Sequence, residues 1–162
     1  MRTKIFTRKD LVEQLTARQE AGETIVFTNG CFDLLHIGHT RYLEEAKYLG
    51  NYLVVGLNSD VSIRQLAKGT GRPIVTADQR AEVLAALMCV DYVTIFDEPD
   101  PLTLIQALRP NILVKGGDWS TDRIVGKEFV ESQGGSVRSI PLVPDVSTTK
   151  IVQQILNQHS LK

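Results

Sequence analysis

Two histidines three residues apart carry the clearest chemical potential in the sequence. His36 and His39 bracket Gly38, after an apolar run at 24–27 and at the start of a stretch with helical spacing that ends at Gly50. A helix N-terminus offers unpaired N–H groups and a dipole that favours anions. The glycine lacks a side chain and would let an anion approach the backbone closely. The spacing therefore predicts a binding site for a negatively charged group.

Other functions for the pair stay open at this point. A lone histidine is more often a capping or core residue, but two that bracket a glycine after a buried strand favour a site. Cys31, His36 and His39 could also bind zinc, although no fourth ligand is evident nearby. The dinucleotide fingerprint G-x-G-x-x-G is absent after the first apolar run, and so is the Walker pattern G-x-x-x-x-G-K-[ST]. Redox cofactors and P-loop phosphoryl transfer are therefore disfavoured.

The histidines must be positioned by a chain that alternates apolar runs with helical segments. Strands are predicted at 24–28, 52–57, 91–96, 112–115 and 136–140. Helices are predicted over 8–21, from the histidine turn to Gly50, and over 61–66, 76–88, 101–108, 123–132 and from 147 onward. Thr7 is expected to cap the first of them, and Thr76 and Gln79 are expected to form a capping box at the start of the helix over 76–88. The first four strands lack period-two alternation, which is typical of a parallel sheet covered on both faces. The fifth alternates and is expected at the sheet edge.

The predicted architecture is one α/β domain over 1–162, with an N-terminal helix in 1–22 and a core in 23–158. The core is expected to be a Rossmann-like, doubly wound, five-stranded parallel sheet. Ligands of such sheets bind beyond the carboxyl ends of the strands, near the switch in strand order. Polar and glycine-rich segments should meet there: 28–29 with the histidines, 58–60, 115–118, Asp145 and 147–150.

Composition limits the partners. The 162 residues carry 18 basic and 19 acidic side chains, for a net charge of -1, which gives no electrostatic reason to expect nucleic acid or an anionic membrane. No apolar run approaches the roughly 20 residues that cross a bilayer, and the N-terminus lacks the apolar core of a secretion signal. The only cysteines, Cys31 and Cys89, have no ligand-like spacing. A reducing cytoplasm is the expected location.

Several of these segments together resemble a known family. The run Asn29-Gly30-Cys31-Phe32-Asp33, the His36-x-Gly38-His39 motif and Ser147-Thr148-Thr149 are similar to the HxGH nucleotidylyltransferase superfamily. Within it, the chain resembles the adenylyltransferase domains of bacterial heptose biosynthesis over about 24–155. The segments that carry this closer resemblance are 58–60, 71–73, Arg80 with 83–87, and 113–118.

The resemblance implies transfer of AMP from ATP to D-glycero-D-manno-heptose 1-phosphate, with release of pyrophosphate and with Mg²⁺ bridging the phosphates. It also implies a homodimer, and a sugar kinase on a separate chain, because many relatives fuse this domain to one. An alternative is a cytidylyltransferase acting on glycerol 3-phosphate. Those enzymes carry Arg-Thr-Glu-Gly-Ile before the Ser-Thr-Thr run, whereas 142–146 here reads Leu-Val-Pro-Asp-Val. Heptose enzymes often have glycine where Asp145 stands, which bears on loop geometry and sugar specificity.

The resemblance also assigns roles to residues. His36 and His39 would bind the triphosphate and stabilise the transition state, and Lys68 and Arg80 would add positive charge. The expected nucleotide- and phosphate-binding residues are Thr28, Asn29, Gly30, Cys31, Phe32, Gly38, Lys115, Gly116, Asp118, Trp119, Ser147, Thr148 and Thr149. No carboxylate cluster identifies a metal site.

Simpler roles compete with several of these. Lys68 and Arg41 could be ordinary solvated side chains, Ser147 a helix cap, and Trp119 a core residue. Asp33 is expected to brace the turn rather than to catalyse. At the level of the whole chain, a non-catalytic nucleotide-binding module is the alternative from another class.

Overall fold

Five parallel strands form the centre of the computed structural model, which describes residues 2–66, 71–117 and 123–159. The strands are β1 (Ile25–Gly30), β2 (Tyr52–Asn58), β3 (Tyr92–Phe96), β4 (Ile112–Gly116) and β5 (Ser136–Ile140). The α-helices are α1 (Arg8–Glu20), α2 (Ile37–Lys47), α3 (Asp60–Gln65), α4 (Ala77–Ala86), α5 (Leu102–Leu108), α6 (Lys127–Ser132) and α7 (Thr148–His159). No helix among the described residues has both the length and the apolar character needed to cross a membrane.

The strand order is β3-β2-β1-β4-β5, and every neighbouring pair is parallel. This confirms the predicted fold class and places β5 at an edge, as its alternation indicated. The order reverses direction between β1 and β4, which makes that junction the switch point of the sheet.

Both faces of the sheet are covered because strand side chains alternate between two buried clusters. Val26 and Val55 belong to the cluster that also contains residues of α2 and α4. Phe27 and Val54 belong to the other cluster, together with residues of α1, α5 and α6. All four side chains are fully buried, which is why the strands read as continuous apolar runs.

A crevice opens where β1 and β4 stop pairing. β1 pairs with β2 along its whole length, from Ile25 opposite Tyr52 to Gly30 opposite Leu57. Between β1 and β4, both fully described, the register pairs only Val26 with Ile112 and Phe27 with Leu113. The last three residues of each strand therefore separate, and the gap lies at the carboxyl edge.

Some predicted boundaries were wrong, and the backbone gives the reason. The helix predicted over 123–132 begins only at Lys127, because Gly126 has φ 91°, a left-handed conformation that a right-handed helix cannot include. The predicted capping box does not form either. Thr76 occupies the N-cap position of α4, but its side chain makes no capping hydrogen bond. That helix ends at Ala86, and Leu87 is extended.

The cap of α1 formed as predicted, whereas the apolar face of α7 did not become fully buried. Thr7 caps α1 as predicted, because its Oγ1 accepts a 3.2 Å hydrogen bond from the Asp10 N–H. The predicted apolar face of α7 is only partly covered. Ile155 and Leu156 are 49% and 55% exposed, whereas Ile151 and Val152 are half-buried.

Candidate active site

A cavity of about 820 Å³ occupies the crevice at the carboxyl edge of the sheet. Segments that follow all five strands contribute to its lining. The structure brings together these predicted site residues in the lining: Asn29, Gly30, Cys31, Phe32, His36, Gly38, His39, Lys115, Gly116, Ser147, Thr148 and Thr149. The convergence of strand-end segments on one edge is therefore present in the structure.

Five predicted site residues do not lie in the described lining. Lys68, Asp118 and Trp119 fall outside the described residues. Thr28 and Arg80 are described, but both are buried, and neither lines the cavity. Each makes hydrogen bonds that position residues of the lining.

Thr28 supports a residue that does line the cavity. It is fully buried, and its Oγ1 shares a 2.6 Å hydrogen bond with the Tyr42 hydroxyl. Burial raises the pKa of Tyr42, and the bond to Thr28 only partly offsets this. The phenol therefore stays neutral and serves as a wall of the cavity, while Thr28 fixes its position.

The two histidine rings lie face to face at the start of α2. Their centroids are 3.9 Å apart with an interplanar angle of 19°. His36 occupies the N-cap position, and its carbonyl accepts bonds from the backbone N–H groups of His39 and Thr40. Its imidazole makes no capping hydrogen bond. Phe32, itself a buried residue of the core, packs edge-on against His39 at 5.2 Å and supports the pair.

Gly38 makes room for this stack. A Cβ at position 38 would lie 3.0 Å from both Cε1 and Nδ1 of His36. Real Cβ atoms rarely come so close to another heavy atom, so any side chain here would displace the imidazole. The glycine was expected to admit an anion to the backbone, and the structure gives it the further role of seating His36.

Both imidazoles are neutral at pH 7 in the free protein. Burial lowers the pKa of His36. Burial and the neighbouring His36 lower the pKa of His39 to about 4, against a small opposing effect of the Leu34 carbonyl. The Nδ1 atoms of both rings are buried and have no hydrogen-bond partner among the described residues. A neutral imidazole has one N–H donor and one acceptor, so the pair can donate hydrogen bonds to an anion without carrying charge beforehand.

Lys115 bridges the gap between the separated strand ends. Its Nζ donates a 2.8 Å hydrogen bond to Oδ1 of Asn29, beyond the last paired residues of β1 and β4. Gly116 follows it, and a Cβ there would lie 3.0 Å from Cδ2 of Leu142. Close packing of the loop after β5 therefore depends on this glycine. An ammonium group is thus fixed at the floor of the crevice.

A second helix N-terminus borders the histidine turn. Ser147 caps α7, because its Oγ accepts a 3.2 Å bond from the Lys150 N–H, so the simple capping role is the one observed. Thr148 Oγ1 donates to the Leu34 carbonyl at 3.3 Å, which ties α7 to the loop before the histidines. The N-termini of α2 and α7 therefore face the same cavity, and each favours an anion.

Asp145 keeps the geometry that glycine would give this loop. Its φ is 63°, in the left-handed region that glycine adopts most easily and aspartate tolerates better than most residues. Its carboxylate is exposed and pairs with Lys150 at 2.6 Å. The backbone at this position is therefore one that glycine would adopt readily.

Arg80 is fully engaged beneath the cavity. Its Nη1 donates to the carbonyls of Cys31 at 2.6 Å and Asn58 at 2.9 Å. Its Nε donates to the Val75 carbonyl at 2.8 Å, and its Nη2 donates to Asp60 at 2.7 Å. The side chain is 1% exposed. The guanidinium thus joins the ends of β1 and β2 to the loop before α4. This is a positioning role, and the charge that Arg80 was expected to add to the site lies beneath the cavity lining.

Arg72 lines the cavity and was not among the predicted site residues. Its Nη1 donates a 2.9 Å bond to Asp33 Oδ2, and Asp33 also accepts bonds from the backbone N–H groups of Ile74 and Val75. Burial alone would raise the pKa of Asp33, but those N–H groups and Arg72 lower it overall. Asp33 therefore braces the turn as expected. The sequence offered no spacing signal for this pair, which is 39 residues apart.

Metal binding by the protein alone has no support in the described ranges. They contain no group of three or more His, Cys, Asp or Glu side chains placed to hold an ion. The zinc site considered for Cys31, His36 and His39 is therefore not formed. Arg41, the other side chain left open above, is exposed and does not line the cavity.

The chain belongs to the cytidylyltransferase-like family, which matches residues 27–154, so the resemblance to HxGH nucleotidylyltransferases is confirmed. It is 54% identical to the bifunctional protein HldE of Syntrophotalea carbinolica over 97% of this chain, and 51% identical to that of Trichlorobacter lovleyi over 98%. It spans about a third of those relatives, 32% of each. A solved lipopolysaccharide core biosynthesis protein from Thermoplasma volcanium has the same fold, with a TM-score of 0.63 and 30% identity over 75% of this chain and 98% of that one.

Proposed function

We propose that this nucleotidyltransferase transfers AMP from ATP to D-glycero-D-manno-heptose 1-phosphate, giving ADP-heptose and pyrophosphate. The observation that carries the proposal is the histidine stack at the N-terminus of α2, which lines one cavity together with Lys115 and the start of α7. Such a site suits a triphosphate, because it offers donors and positive potential. The choice of sugar rests on the similarity to HldE proteins.

The reaction needs no covalent intermediate and no strong base. A sugar phosphate has a second pKa of about 6, so its oxygens are already nucleophilic at pH 7. One of them attacks the α-phosphorus of ATP and forms the new P–O bond. The bond from that phosphorus to the bridging oxygen breaks, and its electron pair leaves on pyrophosphate. Catalysis then consists of holding two anions in line and stabilising the charge that develops on the leaving group.

His36 and His39 are the groups proposed to stabilise that leaving group. Each neutral ring donates through one N–H, and a bound triphosphate would raise the pKa of both rings and strengthen the interaction. Lys115 and the first turn of α7 hold phosphate oxygens in the same proposal. These roles do not depend on Lys68, Asp118 or Trp119, which stay predictions.

Mg²⁺ is expected to arrive with ATP rather than to reside in the protein. This ion prefers waters and substrate phosphates over an all-protein cage, and that fits a cavity in which the described residues form no carboxylate cluster. When bound, it would neutralise part of the charge on the triphosphate.

The proposal also includes partners. A sugar kinase would supply the 1-phosphate in the cytoplasm, and the chain would act as a homodimer. The exposed Ile155 and Leu156 on α7 support the dimer, because an interface would cover these apolar side chains.

Pyrophosphate release tests the activity directly. The protein is incubated with ATP or CTP and with the heptose 1-phosphate or glycerol 3-phosphate, in all four combinations. We expect release with ATP and the heptose phosphate. Release only with CTP and glycerol 3-phosphate would support the cytidylyltransferase alternative, and ATP binding without turnover on either acceptor would support a non-catalytic module. The His36→Ala/His39→Ala double variant controls for contaminating enzymes.

A further inference from the structure

The described lining of the cavity contains two side chains with a permanent positive charge, Lys115 and Arg72. They lie on opposite sides of β1. Lys115 belongs to β4, whereas Arg72 belongs to the segment that joins α3 to α4, after β2. The strand order places β2 and β3 on one side of β1 and places β4 and β5 on the other. One cation therefore serves each half of the crevice.

The half that contains Lys115 already has an anion-binding set. The start of α7 borders it, and Thr148 ties that helix to the loop that carries the histidines. Nucleotidyl transfer brings two phosphate-bearing molecules together, and the triphosphate fills this half in the function proposed above. The second phosphate then needs a cation in the other half.

Arg72 is built to present its charge to the cavity. Its side chain is 18% exposed, and the described residues give its guanidinium one hydrogen bond, from Nη1 to Asp33. A guanidinium has five N–H donors in a planar fork, so the edge turned away from Asp33 can bind a phosphate through two parallel bonds. Arg80 has the opposite arrangement, with four hydrogen bonds and 1% exposure.

Asp33 holds the Arg72 side chain without depending on it. The carboxylate accepts backbone bonds from Ile74 and Val75 at 2.9 Å each, so the turn is tied to the next segment even if Arg72 is removed. Loss of Arg72 should therefore change ligand binding more than folding.

The rest of this half suits a sugar. Asn58 and Asp100 line it with an amide and a carboxylate, which can bond to hydroxyl groups. Ile63, Leu66 and Pro101 add apolar surface against which the C–H face of a sugar ring can pack.

We propose that Arg72 binds the phosphate of the acceptor and thereby makes the β2–β3 half of the crevice the sugar 1-phosphate subsite. The inference rests on the proposed AMP transfer for the identity of the acceptor. Arg72 thus binds the attacking phosphate of the acceptor and contributes to specificity. The histidines stabilise the pyrophosphate leaving group.

The test compares Arg72→Met with Arg64→Met, a matched control on the exposed side of α3. KM for the heptose 1-phosphate and KM for ATP are measured by pyrophosphate release. Loss of a charge-assisted hydrogen bond should raise KM for the sugar phosphate by about 10- to 100-fold. KM for ATP should change less than about twofold, and Arg72→Lys should recover part of the loss because it keeps the charge but not the fork. Equal rises in both KM values, or no change in either, would overturn the inference.

Calorimetric titration of the heptose 1-phosphate separates this inference from the proposed function. If the wild-type protein binds the sugar phosphate but transfers no AMP, while Arg72→Met binds it at least tenfold more weakly, the subsite stands and the proposed reaction fails. If both proteins bind it equally, or neither binds it, the subsite is wrong whatever the turnover. Urea unfolding of each variant shows whether a loss of binding reflects a loss of fold.

Discussion

The network around Arg80 and the histidine turn use polar groups in opposite ways. Arg80, beneath the cavity, is held by four acceptors and Asp33 by three donors, so both side chains are paired within the protein. On the side of the histidine turn and α7, the Nδ1 atoms of both histidines are buried without a partner among the described residues. Two helix N-termini also face the cavity there. The first arrangement stabilises the edge of the sheet, whereas the second places two imidazoles and two helix N-termini on the cavity, where a ligand can meet them.

This difference separates stability from activity. Removing a group whose bonds are internal leaves its partners unsatisfied in the folded state, so the free energy of unfolding should fall. Removing a group whose partner is the ligand should lower the rate and leave folding nearly unchanged. Variants of the Arg80 network and of the histidine turn test whether the separation is real.

The largest effect is expected for Arg80→Met. Its removal leaves the Cys31, Asn58 and Val75 carbonyls without this donor and breaks the pair with Asp60. Breaking a buried ion pair from one side costs about 3–5 kcal/mol. Urea unfolding should show a loss of that size, whereas Arg64→Met, at an exposed position, should change stability by less than about 0.5 kcal/mol. Equal stabilities would mean that the Arg80 network is not a structural one.

His39→Ala should act on rate instead. If the imidazole stabilises the leaving group as an oxyanion donor does, turnover should fall on the order of 10²–10³-fold. The midpoint of urea unfolding should move less than for Arg80→Met, because the ring packs against His36 and Phe32 but has no hydrogen bond at Nδ1 among the described residues. Thr40→Val, one residue further along α2, is the control. A folded variant with normal pyrophosphate release would remove His39 from the mechanism.

Gly38→Ala tests the position of a ring without deleting it. The new Cβ would meet the His36 imidazole at 3.0 Å and force it to move. The ring must give by a few tenths of an ångström, which is less than the displacement of about 1 Å that can cost about 10²-fold in rate. A loss smaller than that for His39→Ala is therefore expected. Stability should stay level or rise by about 0.5–1 kcal/mol, since alanine is favoured over glycine within helices. Unchanged kinetics would show that the seating of His36 is unimportant.

The smallest effect concerns pH. The folded pKa of His39 is about 4 and that of His36 is also lowered, against an ordinary value of 6.5. Between about 4 and 6.5 the unfolded chain therefore binds more protons, so stability is complete above pH 6.5 and declines as the pH falls through that window.

The midpoint of urea unfolding, measured at intervals from pH 7.5 to pH 5, checks this slope. In His39→Gln, which cannot be protonated, part of the slope should disappear. A slope equal to that of the wild type would mean that His39 titrates normally in the folded protein.

The fold could be predicted from the sequence because the apolar runs and helical segments that define it are local patterns. Five apolar runs separated by helical segments leave few arrangements other than a parallel sheet, and the carboxyl ends of its strands must share an edge. The helix caps were less predictable. Thr7 and Thr76 carry the same kind of side chain at the same position, yet only Thr7 makes the capping bond.

The site was predictable to the extent that its residues lie at the end of a strand or in the loop after it. His36, Lys115 and Ser147 do so, and all line the cavity. Arg80 was expected to add positive charge to the site because its charge was visible in the sequence, while its four acceptors, from separate segments, were not. Arg72 was missed for the same reason, because its orientation depends on Asp33, and sequence spacing carries no record of such a long-range pair.

The most direct test of the central claim follows the α-phosphate of ATP. The protein is incubated with the heptose 1-phosphate and with ATP radiolabelled at that phosphate, and the products are separated. The account predicts that the label moves into a nucleotide sugar, with one unlabelled pyrophosphate released for each sugar modified. Label that stays in ATP, or that appears as free AMP independently of the sugar phosphate, would contradict it.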